Sequence, residues 1–171
     1  KGSFEDLQQI RRHVSVPILC KDFIIDEIQI DMAHAAGADM ILLIAAALTE
    51  NRLIELYEYA TKKQLEVLIE IHDEQELARA VQTGTKMIGV NNRNLKNFHV
   101  EIQVTEKLAP KVIAEGINLI SESGLATIED VKCVAAAGAK AVLIGEAFMK
   151  NNKRRNLIKQ FSHVPLVGAN K

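Results

Sequence analysis

Short apolar runs alternate along the chain with longer stretches that mix apolar and polar residues. Six of the apolar runs are predicted strands: VPILC (16–20), DMILLIA (39–45), EVLIEI (66–71), KMIGV (86–90), INLIS (117–121) and AVLIG (141–145). They are apolar at nearly every position rather than at every second one, so both faces of each strand are expected to be buried. That pattern is typical of a parallel sheet covered by helices.

Helix start and stop signals occupy the intervals between these strands. The predicted N-caps are Ser3, Asp26, Thr49, Asp73 and Thr127. Asp6 stands at the third position of the first helix, and Glu76 follows Asp73 by three residues, which predicts a capping box. The predicted helix ends are Gly37, Lys63, Gly84 and Gly138. Pro110 is predicted to stop a helix over 100–109, and the run KNNKRRN (150–156) is interpreted as a solvated loop before the last helix.

A repeated unit favours a closed barrel over an open sheet. The segment AAGADMILLIAAA (35–47) resembles AAGAKAVLIGEAF (136–148), and both contain a helix end, a glycine, a strand and a turn of small residues. Repeating βα units favour a (β/α)8 TIM barrel, and no Gly-x-Gly-x-x-Gly motif follows a strand to favour a dinucleotide fold. A barrel needs eight strands and about 250 residues. The α/β pattern therefore predicts one domain over 1–171, a TIM barrel lacking roughly its first two βα units.

Composition and charge narrow the function classes. The 171 residues are 48% apolar and 25% charged, with a formal net charge of -1. This balance argues against nucleic acid or an anionic membrane as the main partner. No apolar run reaches the ~20 residues that span a bilayer, and no signal-peptide pattern opens the chain. Cys20 and Cys133 are interpreted as reduced core thiols, so we expect a cytoplasmic protein.

Polar residues are concentrated where the predicted strands end. Barrel enzymes carry their chemistry at the carboxyl ends of the strands. The candidate functional residues at these ends are Lys21, Glu70, His72, Asn91, Asn92, Arg93, Glu122, Ser123, Gly124 and Gly145. The second strand ends in three alanines and contributes no polar group.

The last two strand ends predict a phosphate site. Loops after strands seven and eight of a barrel often hold a phosphate through backbone N–H groups and the start of a short helix. The segments SESG and IGEAF supply glycines that let the backbone approach an anion, namely Gly124 and Gly145, and Ser123 supplies a hydroxyl donor. The Glu146 side chain is expected to point away from the phosphate while its N–H donates.

Five segments together resemble the indole-3-glycerol-phosphate synthase family of tryptophan biosynthesis. They are VPILCKDFIID, IEIH, IGVNNRNLKNF, ISESG and AVLIGEAFM, and they follow one another in the family's order over nearly the whole chain. The resemblance implies closure of 1-(2-carboxyphenylamino)-1-deoxyribulose 5-phosphate to an indole, with loss of carbon dioxide and water. It therefore implies a carboxy-lyase acting on a small phosphorylated, anthranilate-derived substrate, without a metal or an organic cofactor.

The resemblance also implies a role for each matching residue. The catalytic residues would be Lys21 as general acid, Glu70 as acid/base carboxylate, and Glu122. The substrate-binding residues would be Asn91, Arg93 and Ser123. The phosphate-binding residues would be Gly124, Gly145 and Glu146.

The residue types suit this chemistry. Ring closure needs a proton at the substrate carbonyl as the aromatic carbon attacks it. We expect Lys21, in a partly desolvated cationic site, to have a lowered pKa and to act as that acid. During dehydration a carboxylate on a neighbouring strand can remove a proton, while lysine and arginine hold the substrate's carboxylate and phosphate.

Structural roles remain open for the same residues. Lys21 can be a solvated strand end, Glu70 a partner in an ion pair across the barrel mouth, and Arg93 a salt-bridge residue. His72 is interpreted as a loop or cap residue. The other histidines, which show no metal spacing, are His13, His34, His99 and His163.

One departure from the family is large. The Lys-x-x-Ser-Pro-like segment of the family's first strand, with its lysine and nearby glutamate, is absent. We therefore expect a fragment that is inactive alone. Two alternatives remain: another phosphate-binding barrel such as a phosphoribosylanthranilate isomerase, or a non-catalytic barrel piece that self-associates through the open edges at 16–20 and 141–145.

Overall fold

A computed structural model of the chain describes residues 2–94 and 98–166. Within them six strands form one parallel sheet, in the order in which they occur along the chain. The strands are β1 Leu19–Cys20, β2 Met40–Ile44, β3 Glu66–Ile71, β4 Met87–Asn91, β5 Asn118–Glu122 and β6 Ala141–Leu143. This sequential parallel order, with helices between the strands, confirms the prediction of a partial TIM barrel.

Helices follow the strands as the alternation predicts. The helices are α1 Phe4–Arg11, α2 Glu27–Ala35, α3 Glu50–Lys62, α4 Glu74–Gln82, α5 Gln103–Ala114, α6 Ile128–Ala136, α7 Glu146–Lys150 and α8 Arg154–Ser162. All five predicted N-caps accept a hydrogen bond from the first turn of their helix. Among the described residues no helix is long and apolar enough to cross a membrane.

Both faces of the sheet are buried, which is why the strands lack a polar alternation. On β2, Ile41 and Leu43 belong to the large core between the sheet and the helices. Leu42 and Ile44 point to the other face and pack with Leu68 and Ile120 in a second cluster. Successive strand residues point to opposite faces, so this second cluster lies on the inner side of the sheet.

The two edges of the sheet fall where the sequence predicts them. Among the described residues, β1 pairs with β2 alone and β6 pairs with β5 alone. The first strand is shorter than the predicted 16–20 segment, because side chains take the backbone groups that precede it. Arg11 donates to the Val16 carbonyl oxygen at 2.7 Å, and Asp39 accepts from the Ile18 N–H at 2.7 Å.

Three local predictions are wrong. Pro110 lies inside α5 and does not stop the helix, since burial of Leu108, Ala109 and Val112 outweighs the one hydrogen bond that proline removes. Glu76 does not complete a capping box with the Asp73 N–H, and instead its carboxylate accepts from the His72 N–H at 2.8 Å. The predicted loop at 150–156 contains the end of α7 and the start of α8.

The cysteines are both free, as predicted, but they differ in burial. Cys20 lies in the core at 8% exposure. Cys133 is only partly buried on α6, where its Sγ donates to Glu106. The interpretation as a core thiol therefore holds for Cys20 and is wrong for Cys133.

Candidate active site

Three charged side chains meet at the carboxyl end of the sheet. Lys21 follows β1, Glu70 lies in β3 and Glu122 ends β5. The Lys21 Nζ lies 3.1 Å from an oxygen of Glu70 and 3.1 Å from an oxygen of Glu122. The two carboxylates are almost fully buried, at 2% and 1% exposure, whereas the lysine side chain is 45% exposed. A single ammonium group, on a half-exposed side chain, therefore lies between the two buried carboxylates and contacts both.

The register of the parallel strands explains why residues far apart in sequence meet here. Glu70 is level with Gly89 in the pairing of β3 with β4, and Asn91 is level with Glu122 in the pairing of β4 with β5. Asn91 then donates from Nδ2 to Glu70 at 2.9 Å. Glu70 is thus held from one side by an amide and from the other by the Lys21 ammonium group.

The carboxylate of Glu122 is less well satisfied than that of Glu70. Within the described part of the chain neither of its oxygens accepts a hydrogen bond, although the Lys21 ammonium lies within ion-pair distance. Burial raises the pKa of Glu122 to about 7; nearby Lys21 opposes the rise and Glu70 reinforces it. A carboxyl group in this state gains or loses a proton near neutral pH, which suits general acid–base catalysis.

The expectation of a lowered pKa for Lys21 is wrong. Burial does act to lower the pKa of this lysine, but the negative charges of Glu122 and Glu70 outweigh burial and raise the pKa above its usual value. The surroundings of Lys21 are anionic rather than cationic. The ammonium group is therefore charged at neutral pH and carries a proton that it can donate.

Gly89 is a site residue that the sequence did not reveal. A Cβ built on Gly89 would lie 1.9 Å from an oxygen of Glu122 and 2.9 Å from the Cδ of the same side chain. The space of the missing side chain is thus occupied by the Glu122 carboxyl group. The one available signal was a glycine inside an apolar strand, which often marks a close approach.

A cavity of about 790 Å³ opens in front of Lys21 and Glu122. Seven of the nine predicted site residues line it: Lys21, Arg93, Glu122, Ser123, Gly124, Gly145 and Glu146. The other two, Glu70 and Asn91, are buried at 2% and 7% exposure and contact each other. Of the motif IGVNNRNLKNF, residues 95–97 lie outside the described residues.

The loops at one end of this cavity have backbone conformations suited to close approach. Ser123 and Gly124 both have positive φ values, of 63° and 75°. At Gly124 a Cβ would also lie 2.2 Å from Val100, so glycine is needed there for two reasons. At Gly145 the φ is −110° and a Cβ would meet nothing within 4 Å, so the protein itself leaves that space open toward the cavity.

Glu146 forms ion pairs with two cations that line the cavity. Its carboxylate accepts from Arg93 Nη2 at 3.0 Å and from Lys150 Nζ at 2.7 Å. These two positive charges hold the pKa of Glu146 below its usual value, with Lys150 the larger influence. The structure therefore contains the salt bridge that the structural interpretation of Arg93 requires, and this salt bridge lies at the cavity wall, where the substrate-binding role of Arg93 stays a prediction.

His72 lies behind Glu70 rather than in the cavity. Its Nδ1 lies 3.1 Å from Glu76, and its Nε2 lies 3.6 Å from Glu70. Burial acts to lower the pKa of His72, but hydrogen bonding and charge from Glu76, with the charge of Glu70, raise it above the usual value. The predicted cap role is correct in part, because the backbone of His72 joins the start of α4 through Glu76.

Known proteins resemble this chain in sequence. The sequence matches the family described as Indole-3-glycerol phosphate synthase over residues 1–161. Indole-3-glycerol phosphate synthases of Bacillus thuringiensis (strain Al Hakam) and Bacillus cereus (strain 03BB102) are each 56% identical over 152 residues, which is 89% of this chain and 60% of the relative. The chain thus spans less than two thirds of the length of these curated relatives.

Solved structures of more distant proteins have a similar fold. A mandelate oxidase variant with (S)-mandelic acid superimposes with a TM-score of 0.73 at 18% identity, over 92% of this chain and 59% of the other. The 3-keto-L-gulonate-6-phosphate decarboxylase of Vibrio cholerae gives 0.72 at 20% identity, over 95% and 80%. At these identities the likeness concerns the fold alone.

Proposed function

Because the chain belongs to the indole-3-glycerol phosphate synthase family, we propose that it carries the catalytic face of that synthase. The reaction closes 1-(2-carboxyphenylamino)-1-deoxyribulose 5-phosphate to indole-3-glycerol phosphate and releases carbon dioxide and water. The observation that carries this proposal is the Lys21 ammonium, 3.1 Å from both Glu70 and Glu122 at the end of the cavity. The family match favours this function over the phosphoribosylanthranilate isomerase alternative.

The first proposed step is proton delivery by Lys21. As the aromatic carbon that bears the carboxylate attacks the substrate's keto carbon, the keto oxygen takes a proton from the ammonium and becomes a hydroxyl. Breaking the bond to the carboxylate then releases carbon dioxide and restores the aromatic ring. The reaction as a whole consumes one proton, because the keto oxygen and the leaving hydroxyl take up two and the base removes one. Lys21, whose side chain is 45% exposed, regains its proton from solvent between turnovers, and the proton that Glu70 gains in the second step returns to Glu122.

The second proposed step is dehydration. The new hydroxyl leaves as water when it accepts a proton, and a carboxylate removes a proton from the ring being formed. Glu70 suits the role of base, because Asn91 and Lys21 hold its oxygens at 2.9 Å and 3.1 Å. Glu122 suits the role of acid, because its pKa of about 7 leaves it partly protonated at neutral pH.

The proposed phosphate site lies at Ser123, Gly124 and Gly145. Their backbones border the cavity, and Gly145 leaves open space where a side chain would stand. Arg93 and Lys150 line the same cavity and supply positive charge, once Glu146 shares them with an incoming anion. Glu146 itself contributes its N–H, since its carboxylate is engaged with the two cations.

The proposed ligand is therefore a small phosphorylated, anthranilate-derived molecule, and no nucleic acid or membrane enters the reaction. A cytoplasmic location is proposed with it. The free thiols of Cys20 and Cys133 fit a reducing compartment.

Turnover tests the proposal directly. The assay follows indole-3-glycerol phosphate by fluorescence, with the 171-residue chain and with a hybrid in which the matching part of this chain replaces the corresponding segment, 152 residues in the match, of the Bacillus cereus relative. The hybrid is expected to turn over the substrate, because it combines this face with the rest of a synthase. A folded hybrid without turnover would contradict the proposal.

A pair of glutamates on one strand separates catalysis from general effects of charge removal. Glu70 lies at the carboxyl end of β3, and Glu66 opens the same strand at the opposite end, where it is exposed. In the hybrid, Glu70→Gln is expected to lower kcat by ~10²–10⁴-fold, whereas Glu66→Gln should leave kcat within about twofold. Equal kcat values for the two variants would remove Glu70 from the mechanism.

A further inference from the structure

Asn92 stands between two residues of the candidate site, but its side chain points away from both. Asn91 and Arg93, on either side, reach Glu70 and Glu146. Asn92 is 2% exposed and its side chain enters the space between β5 and α5. The side chains of neighbouring residues in extended backbone point to opposite sides. The Asn92 side chain therefore points away from the site, whereas those of Asn91 and Arg93 point toward it.

The side-chain amide of Asn92 is fully engaged in hydrogen bonds. Its Nδ2 lies within hydrogen-bond distance of three acceptors, Ser121 Oγ at 3.1 Å, the Glu122 carbonyl at 3.0 Å and the Ser123 carbonyl at 3.1 Å, so its two protons are shared among them. Its Oδ1 accepts from the backbone N–H of Thr105 at 3.1 Å and from the Thr105 hydroxyl at 2.8 Å. No other side chain combines a two-proton donor with an adjacent acceptor at this length.

A hydrogen bond between two of the partners of Asn92 completes the network. The hydroxyls of Thr105 and Ser121 lie 2.8 Å apart, and both residues are completely buried. The network thereby connects Asn92, directly after β4, with the end of β5 and the residue that follows it, Ser123, and with Thr105 in the first turn of α5. Buried networks in which every member is satisfied are rigid.

We infer that Asn92 is a positioning residue that fixes the end of β5, and with it the Glu122 carboxylate and the Ser123–Gly124 backbone, relative to Lys21 and Glu70. The inference rests on the proposed function for its catalytic consequence, but its geometric content does not. The backbone of Asn92 holds the same strand end, because its N–H also donates to the Glu122 carbonyl, at 2.9 Å.

The backbone of Ser123 explains why such a clamp is needed. Ser123 is not a glycine, yet it has a φ of 63° in the left-handed region. Residues in this region persist when the surrounding structure holds them. The Asn92 amide holds the carbonyl oxygen of Ser123 itself, so the amide stabilises the backbone at Ser123 and Gly124, which line the cavity.

The inference predicts that loss of the amide changes the protonation of Glu122. The variant is Asn92→Ala, and the control is Thr85→Ala. Thr85 is also buried at 2% exposure and hydrogen-bonded, but it precedes β4 at the opposite end of the strand. Both variants lose a buried polar group, and Asn92→Ala alone releases the end of β5.

The measurement is the titration midpoint of the Glu122 side-chain carboxyl carbon by NMR in the 171-residue chain, assigned with Glu122→Gln. Burial is the largest cause of the raised pKa of Glu122, so a loosened β5 end that admits water should lower the midpoint from about 7. The expected fall is at least ~0.5 pH unit. Thr85→Ala should leave the midpoint within ~0.2 unit of the parent.

Other charged groups near Glu122 are the same in both variants. Lys21 and Glu70 face Glu122 directly, and His72 stands behind Glu70. Arg93 lies at the cavity wall and is paired with Glu146. A midpoint that shifts in Asn92→Ala and not in Thr85→Ala therefore reports the position of Glu122 rather than a lost charge.

Two outcomes overturn the inference: a Glu122 midpoint unchanged in folded Asn92→Ala, or an equal shift in Thr85→Ala. If Asn92→Ala does not fold, Thr105→Val replaces it, since it removes one of the two bonds to Oδ1 and keeps the donor bonds to both carbonyls. A smaller fall in the same direction is then expected, and an unchanged midpoint overturns the inference.

Activity in the hybrid separates this inference from the proposed function. If the parent hybrid is active, Asn92→Ala should lower kcat by about tenfold or more at a temperature where it is fully folded, because small misplacements of catalytic groups are costly. Thr85→Ala should stay within about twofold. An inactive parent hybrid contradicts the proposed function alone, and the Glu122 titration still decides the role of Asn92.

Discussion

Gly89→Ala adds one methyl group to the floor of the site, directly against Glu122. The ideal Cβ lies 1.9 Å from one carboxylate oxygen, 2.9 Å from Cδ and 3.5 Å from Cγ. Carbon and oxygen atoms that are not bonded need roughly 3 Å or more. Oε1 must therefore retreat by at least about 1 Å. Because the two oxygens belong to one rigid carboxylate, the 3.1 Å contact between Oε2 and Lys21 changes with it.

The expected effect on catalysis exceeds the effect on stability. Overpacking a core position costs about 1–3 kcal/mol, and here the atom that yields is the end of a side chain rather than backbone. A misplacement of about 1 Å at a catalytic group lowers the rate on the order of 10²-fold. We therefore expect a folded hybrid with a kcat reduced by that factor, measured by indole-3-glycerol phosphate fluorescence alongside thermal unfolding.

Shortening Glu122 provides the matched control. Glu122→Asp withdraws the carboxylate by about 1.5 Å, one carbon–carbon bond, and removes the reason for the clash. Gly89→Ala should then lower kcat by less than about threefold in the Glu122→Asp background, a non-additivity expected of residues in contact. Full activity of Gly89→Ala alone, or an equal effect in both backgrounds, would show that the added methyl group does not displace the Glu122 carboxylate.

Three further predictions concern phosphate binding, pH and assembly. Gly145→Ala should leave thermal stability unchanged, since its Cβ meets no atom within 4 Å. It should raise KM in the hybrid by about tenfold, because the added methyl group fills the space through which the phosphate approaches the backbone. An unchanged KM contradicts the proposed phosphate site. Glu122 has a folded-state pKa of about 7 against an ordinary 4.5, so the folded state binds more protons than the unfolded state between these pH values. The free energy of unfolding should therefore fall by up to about 3 kcal/mol as pH rises from 4.5 through 7. Glu122→Gln should flatten this slope, and an equal slope in that variant contradicts the assignment of the raised pKa to Glu122. Since β1 and β6 each pair on one side only among the described residues, the chain should self-associate through these edges, and light scattering that gives 18.9 kDa at all concentrations contradicts this.

Much of the fold follows from local signals in the sequence. Glu66–Ile71 is predicted and observed as a strand with the same bounds. The caps at Ser3, Asp26 and Thr127 act through side-chain oxygens that bind the first turn of the helix. These features depend on residues within a few positions of one another, so a single sequence is enough to predict them.

The site was predictable as a set of residues but not as a set of contacts. Lys21, Glu70 and Glu122 follow from their positions at strand ends. The direction of the Lys21 pKa does not, because it depends on two carboxylates that lie 49 residues and about 100 residues further along the chain, brought within 3.1 Å by strand register. Gly89 was missed for the same reason, since only the tertiary structure brings Glu122 into its empty side-chain space.

Pro110 illustrates the opposite limit, in which a correct local rule is overridden. Proline removes a backbone donor and disfavours a helix interior. Here the residues on both sides of it, Ala109 and Val112, are completely buried against the sheet. The helix continues because burial of this apolar face is worth more than the one hydrogen bond that is lost.

Lys21, held between Glu70 and Glu122, is proposed to deliver the proton that drives ring closure. The single-turnover rate of ring closure tests this role in the hybrid carrying Lys21→Met, compared with Lys140→Met, which removes an exposed lysine just before β6 at the opposite end of the sheet. We expect a fall of ~10²–10⁴-fold for Lys21→Met and a rate within about twofold of the parent for Lys140→Met. A Lys21→Met hybrid that closes the ring within about twofold of the parent rate would show that Lys21 is not the proton donor.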